Sequence, residues 1–143
     1  MPDIVHRVGI KAPAEKVFQN LSTVAGYRSW WDPDVTGNPA KGGVITFFGR
    51  VDMKVEECRP NELVKWKCIR GPDEWMNTEV VFKLRQEGDE TFVLFTHANW
   101  KEAVEFMHHC STKWAVFMLS LKDLVELGKG HPQPNDIRIW SKG

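Results

Sequence analysis

Between Gly42 and Asn99 apolar residues largely fall at every second position; between Ala103 and Gly128 they fall at every third and fourth. This switch of period constrains the fold more than any other feature, because alternation places one apolar face on a strand and a 3–4 step places one on a helix. In the first region, Val44–Phe48 and Val51–Cys58 flank Gly49-Arg50, read as a two-residue hairpin loop with glycine supplying the positive φ. Arg59-Pro60-Asn61 turns into Leu63–Arg70, Gly71-Pro72 opens a wider loop, and Glu87-Gly88-Asp89 joins Asn77–Arg85 to Thr91–Asn99. Five consecutive antiparallel strands are predicted. Val64, Trp66 and Cys68 oppose Lys65 and Lys67, and Thr78, Val80, Phe82 and Leu84 oppose Glu79, Lys83 and Arg85, so one face is apolar and the other wet. In the second region Ala103, Met107, Cys110, Trp114, Phe117, Leu121, Leu124 and Gly128 predict a striped helix of about 26 residues, roughly 39 Å long. Gly128 and Gly130, with Pro132 beyond, end it.

Upstream, Ile4, Val8 and Ile10 alternate as a strand. Pro13 suits the first turn of a helix whose apolar face is Val17, Phe18 and Leu21. Ser22 or Thr23 can cap a second short helix that runs to Trp30-Trp31 and stops at Asp32-Pro33, since a residue before proline leaves the helical region. The order β-α-α-β5-α is an α+β arrangement: one domain over 1–143, in which a curved, six-stranded antiparallel sheet wraps a long C-terminal helix. The short helices leave a wedge at one end of the grip. Trp30-Trp31 falls at that wedge, with Trp31 expected inward and Trp30 nearer the rim.

Composition narrows the functional classes. Nineteen acids balance nineteen bases, so no net field draws the chain to nucleic acid or to an anionic membrane, and stable membrane association is not expected. Cys58, Cys68 and Cys110 lack any C-x-x-C spacing, which argues against a disulfide framework and a thiolate zinc site. With no export-type leader at the amino terminus, a reduced, cytoplasmic setting is expected. Seven tryptophans are many for a core of this size: either the interior is rich in rings or rings line a hollow.

Several strings carry a resemblance across nearly the whole chain: "IVHRVGIKAPAEKVFQNLSTVAGYRSWW", "RPNELVKWKC", "GPDEWMNTEVVFKL", "TFVLFTHANW" and "HCSTKWAVFMLSLKDLVELGKGHP". Their order and spacing resemble the START-like helix-grip superfamily, also called SRPBCC, and within it the branch of homologues of the activator of heat-shock protein 90 ATPase. The resemblance implies a helix-grip fold with an internal cavity. That scaffold hosts lipid carriers, hormone receptors, cyclases and chaperone regulators, so function must be argued from the site. Activators of the chaperone type carry a further domain, for which 143 residues leave no space. A cyclase or aromatase would need His97, Tyr27 or an inward acid to converge on one spot.

If the fold is a helix grip, the candidate cavity walls are Trp31, Phe47, Trp66, Trp75, Met76, Phe82, Phe95, His97, Trp100, Met107, Cys110, Trp114, Phe117 and Met118. Apolar walls with a few placed polar groups suit a lipid or an apolar or aromatic metabolite. His97 shares the inward parity of Val93 and Phe95; it either orients a polar head group or is a buried histidine bonded to the last helix. His108, His109 and Cys110 are adjacent on a helix and point about 100° apart, so they do not share one ion. No metal, cofactor or catalytic residue is assigned. Asp32 and Asp34 read as turn residues. Phe92 and Leu94 have outward parity and with Val81 would form a patch for a weak homodimer or a chaperone contact. The expected function is binding of a small hydrophobic or aromatic ligand, with chaperone-ATPase activation and polyketide cyclisation as alternatives.

Overall fold

The computed structural model describes residues 1–142. Strand β1 (Ile4–Ile10) leads into helices α1 (Ala14–Leu21) and α2 (Val24–Trp30). Strands β2 (Thr36–Gly37), β3 (Val44–Phe47), β4 (Val51–Arg59), β5 (Leu63–Arg70), β6 (Glu79–Glu87) and β7 (Glu90–Ala98) follow, and helix α3 (Glu105–Leu127) closes the series. The strands form one antiparallel sheet in the order β1-β7-β6-β5-β4-β3-β2. It has seven strands rather than the six expected. The addition is the two-residue β2, which pairs Thr36 with Thr46 and Gly37 with Ile45, too short to show an alternation in sequence.

Alternation also misplaced one turn. Phe47 pairs with Val51, leaving a three-residue loop, Phe48-Gly49-Arg50, in place of the two-residue loop expected. Phe48 and Gly49 both take positive φ, +56° and +67°, and the Arg50 N–H donates to Phe47 O at 3.1 Å. A phenylalanine in the left-handed region is costly unless something holds it. Here Asp32 does so: its Oδ2 accepts the Phe48 N–H at 2.6 Å while Oδ1 accepts Asp34 N–H at 3.0 Å. Asp32 is therefore a fully buried tie between two loops, not the solvated turn residue the sequence implied.

Side chains on the sheet's inner face line up across strands: His97, Val80, Trp66 and Val55 form one row, and Phe95, Phe82 and Val64 the next. All are buried: Phe95 and His97 meet Trp114 of α3, and Trp66 and Phe82 meet Tyr27 and Trp30 of α2. The inward residues of α3 are Met107, Cys110, Trp114, Phe117, Met118, Leu121 and Val125. The stripe ends on Val125 in place of Leu124, and Ala103 is exposed because the helix starts only at Glu105. Gly128 (φ +82°) then closes α3, its N–H donating to Leu124 O, a left-handed cap that favours glycine. Thr23 caps α2 by accepting the Gly26 N–H, and Gln86 from the β6–β7 hairpin caps α1 through Ala14 N–H, so the short helices are fixed to the sheet end.

Beyond Gly128 the chain folds back. Ser120, buried on α3, donates to Trp30 O at 2.8 Å and accepts His131 N–H at 2.7 Å, and Gln133 N–H donates to Trp31 O at 2.9 Å. A Cβ at Gly130 would lie 2.3 Å from Ser29 O, so this approach needs a residue without a side chain. These bonds lay the C-terminal segment across one end of the grip. Among the described residues no helix is long and apolar enough to cross a membrane.

Candidate functional site

At the end of the grip where β3–β4, the loop after β5 and the first half of α3 meet, a partly open cleft of about 410 Å³ remains. Its floor is aromatic: Trp31, Phe48, Trp75, Phe106, Trp114 and Phe117. Trp31 is central, with ring centroids 4.2 Å from Phe47 and 4.8 Å from Trp114. It reaches this position because Trp31 caps α2 and turns inward while its neighbour Trp30 packs behind it at 5.8 Å. Trp30 is not at the rim; it is fully buried, its indole N–H donating to Asn20 O at 2.7 Å.

One wall is the β3–β4 hairpin, which contributes Phe48, Arg50 and Val51. Arg70 on β5 steadies it, donating to both oxygens of Asp52 (2.8 and 3.3 Å) and reaching Gly49 O. Those bonds, with one from the Thr46 hydroxyl, hold the Asp52 carboxyl below the usual carboxylate range. The roof is the returning segment, with Gln133, Pro134, Asp136, Arg138, Trp140 and Lys142. Asp136 accepts from Lys113 Nζ of α3 at 2.8 Å, and the Trp140 ring meets His109 edge-on at 5.3 Å.

Of the side chains expected in the walls, Trp31, Trp75, Cys110, Trp114 and Phe117 line this cleft. Phe47, Trp66, Phe82, Phe95, His97 and Met118 lie in the interior beyond it, fully buried. Their rings interlock: Phe47–Trp66 at 5.3 Å, Trp66–Phe82 at 5.1 Å, Phe82–Phe95 at 5.3 Å and Phe95–Trp114 at 4.6 Å. Met107 is buried on α3 and Met76 half-buried after the Asp73–Trp75 turn. Trp100 borders a separate, smaller depression of about 280 Å³ with Asp73, Glu74 and Lys101.

His97 is held inside a closed chain of hydrogen bonds. The Trp114 indole N–H can only donate, so Nδ1 of His97 accepts it, at 3.1 Å. The ring is then protonated at Nε2, which donates to Thr78 Oγ1 at 2.8 Å, and that hydroxyl donates to Trp75 O at 2.6 Å. Burial pushes the His97 pKa down to about 3, so the imidazole is neutral. Burial also pushes the Cys110 thiol up to about 11, which makes it an inert wall rather than a nucleophile. The indole N–H groups of Trp66 and Trp75 lie against the Tyr27 hydroxyl and the Cys110 thiol, at a geometry short of a full hydrogen bond, and like that of Trp100 they are buried. Trp75 is the one of these on the cleft.

Sequence reasoning missed Phe48, Arg50, Phe106, His109, Lys113 and the whole roof. Phe48 falls within the predicted strand Val44–Phe48, and Phe106, His109 and Lys113 lie off the apolar stripe of the predicted helix. A signal for the roof was present: after the helix-ending glycines the run Ile137-Arg138-Ile139-Trp140 carries apolar residues that a solvated tail does not need.

A family model described as "Activator of Hsp90 ATPase homolog 1-like protein" matches residues 11–126. Among solved structures, the solution structure of the Aha1 dimer from Colwellia psychrerythraea is 47% identical to this chain, covers 91% of it and 100% of its own length, and superposes with a TM-score of 0.82. CalU16 from Micromonospora echinospora is 20% identical over 86% of this chain and 73% of its own, with a TM-score of 0.75. The protein SSP2350 from Staphylococcus saprophyticus is 17% identical over 90% of this chain and 95% of its own, with a TM-score of 0.76. The last two share the fold. No curated protein matches the chain.

Proposed function

The chain belongs to the family of activator of Hsp90 ATPase homolog 1-like proteins, and we propose that it is a small-molecule binding protein whose guest occupies the cleft between α3, the β3–β4 hairpin and the returning C-terminal segment. The supporting observation is the cleft itself. A volume of about 410 Å³ lies within the roughly 300–1,000 Å³ of small-molecule sites, and its aromatic floor matches the rings that usually line them. His97 and Cys110, the two groups best suited to chemistry, are held neutral, which favours binding over turnover.

The test is a titration with fatty acids, sterols and planar aromatics, followed by tryptophan emission and by the indole N–H resonances. A saturable change at Trp31, Trp75 and Trp114, with Trp66 unmoved, supports the reading. No saturable change across the panel overturns it.

The family description favours a second reading, stimulation of a heat-shock protein 90 ATPase; ATP turnover by the purified chaperone with and without the chain separates the two. The Colwellia relative is described as a dimer, and an outer face here could serve the same end. Val5 and Leu94 are exposed on it, beside a Phe92 ring sandwiched between the Arg7 and Arg85 guanidinium groups at 4.9 and 5.1 Å. For a homodimer on this face, Leu94→Lys leaves only monomer in a sedimentation series. Unchanged association in that variant rules the face out.

A further inference from the structure

His97 is fully buried and interrupts an otherwise apolar row, which Val80, Trp66 and Val55 continue across the sheet. A phenylalanine would fill the place without carrying two polar nitrogens into an interior that must satisfy both. What those nitrogens hold points to a role. Nδ1 accepts from the Trp114 indole N–H at 3.1 Å; Nε2 donates to Thr78 Oγ1 at 2.8 Å, and that hydroxyl donates to Trp75 O at 2.6 Å. Both bonds lead to the cleft, since Trp114 and Trp75 line its floor. Neither nitrogen bonds the backbone of the sheet or of α3.

Trp114 is the hub of that floor. Its ring centroid lies 4.8 Å from Trp31, 4.6 Å from Phe95 and 6.2 Å from Trp75, the last nearly parallel at 18°. The terminal torsion of a tryptophan is broad and roughly two-fold, so an indole can turn its nitrogen edge to either side. The bond to His97 removes that choice. Nε1 is the one polar atom of the Trp114 side chain, and with it committed inward the residue offers the cleft carbon only. Trp75 is turned the same way, its buried N–H lying against the Cys110 thiol. The His97 ring stands edge-on to both indoles, at 90° to Trp75 and 89° to Trp114.

We infer, building on the binding reading above, that His97 is a positioning residue of the binding site: by holding the Trp114 N–H it keeps the cleft floor apolar, and so selects guests that present a carbon surface there. It touches no guest itself, being fully buried behind the rings. A ring without an acceptor at this position leaves the Trp114 N–H buried and unpaired, a state the indole escapes by turning its nitrogen edge to the water of the cleft. The floor then carries a hydrated donor that an apolar guest must strip of water on entry. The loss in affinity should be on the scale of one unmade hydrogen bond, about tenfold.

The neutral dye N-phenyl-1-naphthylamine, titrated by fluorescence into the full chain and its variants at neutral pH, tests this. His97→Phe keeps a ring of similar size and removes both nitrogens; it should bind the dye about tenfold more weakly. His97→Gln restores an acceptor and a donor and should stay within about threefold of the unaltered protein. In a Trp114→Phe background, which has no N–H to hold, His97→Phe should change affinity by less than about twofold. Melting curves establish that each variant is folded. In the unaltered protein, nitrogen shifts should show His97 bare at Nδ1 and protonated at Nε2, with a Trp114 indole proton that exchanges slowly with solvent; in His97→Phe that proton should exchange fast. A folded His97→Phe with unaltered dye affinity overturns the proposal. The same loss in the Trp114→Phe background also overturns it, since His97 would then act by other means than Trp114. A protonated Nδ1 or a fast-exchanging Trp114 proton in the unaltered protein overturns it without any variant, and decides the matter should His97→Phe not fold. Failure of the dye to bind the unaltered protein counts against the underlying binding reading, while the nitrogen shifts and the exchange still report on His97.

Discussion

Tryptophan serves two ends of the same grip in different ways. In the middle, Trp66 is enclosed by Tyr27, Phe47 and Phe82 with ring centroids 5.1–5.5 Å apart, and the adjoining His97 is satisfied on both nitrogens. At the hairpin end, Trp31, Trp75 and Trp114 form a floor facing open space, ringed by charges. Residue type does not distinguish the regions; the layer above does. In the middle the sheet's rings are covered by rings of both α2 and α3, Tyr27 and Trp30 over Trp66 and Phe82, and Trp114 over Phe95, whereas at the end the cover is the returning segment. Packing energy is therefore concentrated in the middle, and the end is left free to exchange its cover.

The largest expected effect breaks this comparison from the interior side. Phe82 is fully buried between Trp66 and Phe95 at 5.1 and 5.3 Å, and Phe82→Ala should cost about 3–5 kcal/mol, from lost transfer energy and a cavity that interlocked rings cannot collapse. Since a domain's whole stability is about 5–15 kcal/mol, this variant can lie close to unfolding. Phe82→Leu, at about 1.5 kcal/mol or less, gives a folded comparison in urea. If Phe82→Ala costs under about 1 kcal/mol, the middle is not the close-packed region described and the contrast fails.

A smaller effect sharpens the contrast through pH. His97 has its folded pKa lowered to about 3 from 6.5 by burial, so between these values the unfolded chain binds a proton that the folded chain refuses. Its stability is full above pH 6.5 and declines as the pH falls towards 3, by up to about 1.4 kcal/mol per unit inside that window. Melting temperature should therefore drop from pH 7 to pH 5, before carboxylates such as Asp52, whose folded pKa is lowered by Arg70, begin to lose their partners. A folded His97→Gln variant should show a flatter profile over the same interval. An equally steep profile in that variant would assign the pH dependence to other groups.

Much of the architecture could be read from period alone, because β5 and the inner-row residues of β6 and β7 alternate, β4 does so up to the irregularity after Val55, and α3 keeps its stripe through Met107, Cys110, Trp114, Phe117 and Leu121. The parity of His97 was legible for the same reason. What escaped was set by contacts that no local pattern encodes. Asp32 reads as a turn residue until Phe48, sixteen positions on, supplies a strained N–H for it to accept. Trp30 and Trp31 are identical letters, and which of them faces the cleft depends on Asn20 capturing one indole. Thr36–Gly37 becomes a strand only because β3 offers it an edge. The excess of rings was legible but its distribution was not: alternation marks every inward residue equally, and cannot say which rings interlock in the interior and which border the cleft.

The smallest expected effect lies at the roof. Trp140 is 53% exposed and touches His109 by one edge, so Trp140→Ala should change stability by no more than about 0.5 kcal/mol, the ordinary range for surface substitutions. Its consequence should be local: faster amide exchange confined to residues 133–142, with protection of β5, β6 and β7 unchanged, since opening free energies follow buried contacts. A large apolar ring would then be removed from the chain at almost no cost to global stability, while a smaller ring in the middle could not be. Should Trp140→Ala instead lower the urea midpoint as much as Phe82→Leu does, the returning segment would be part of the packed core. The cleft would then be sealed rather than covered, and the two ends of the grip would cease to differ.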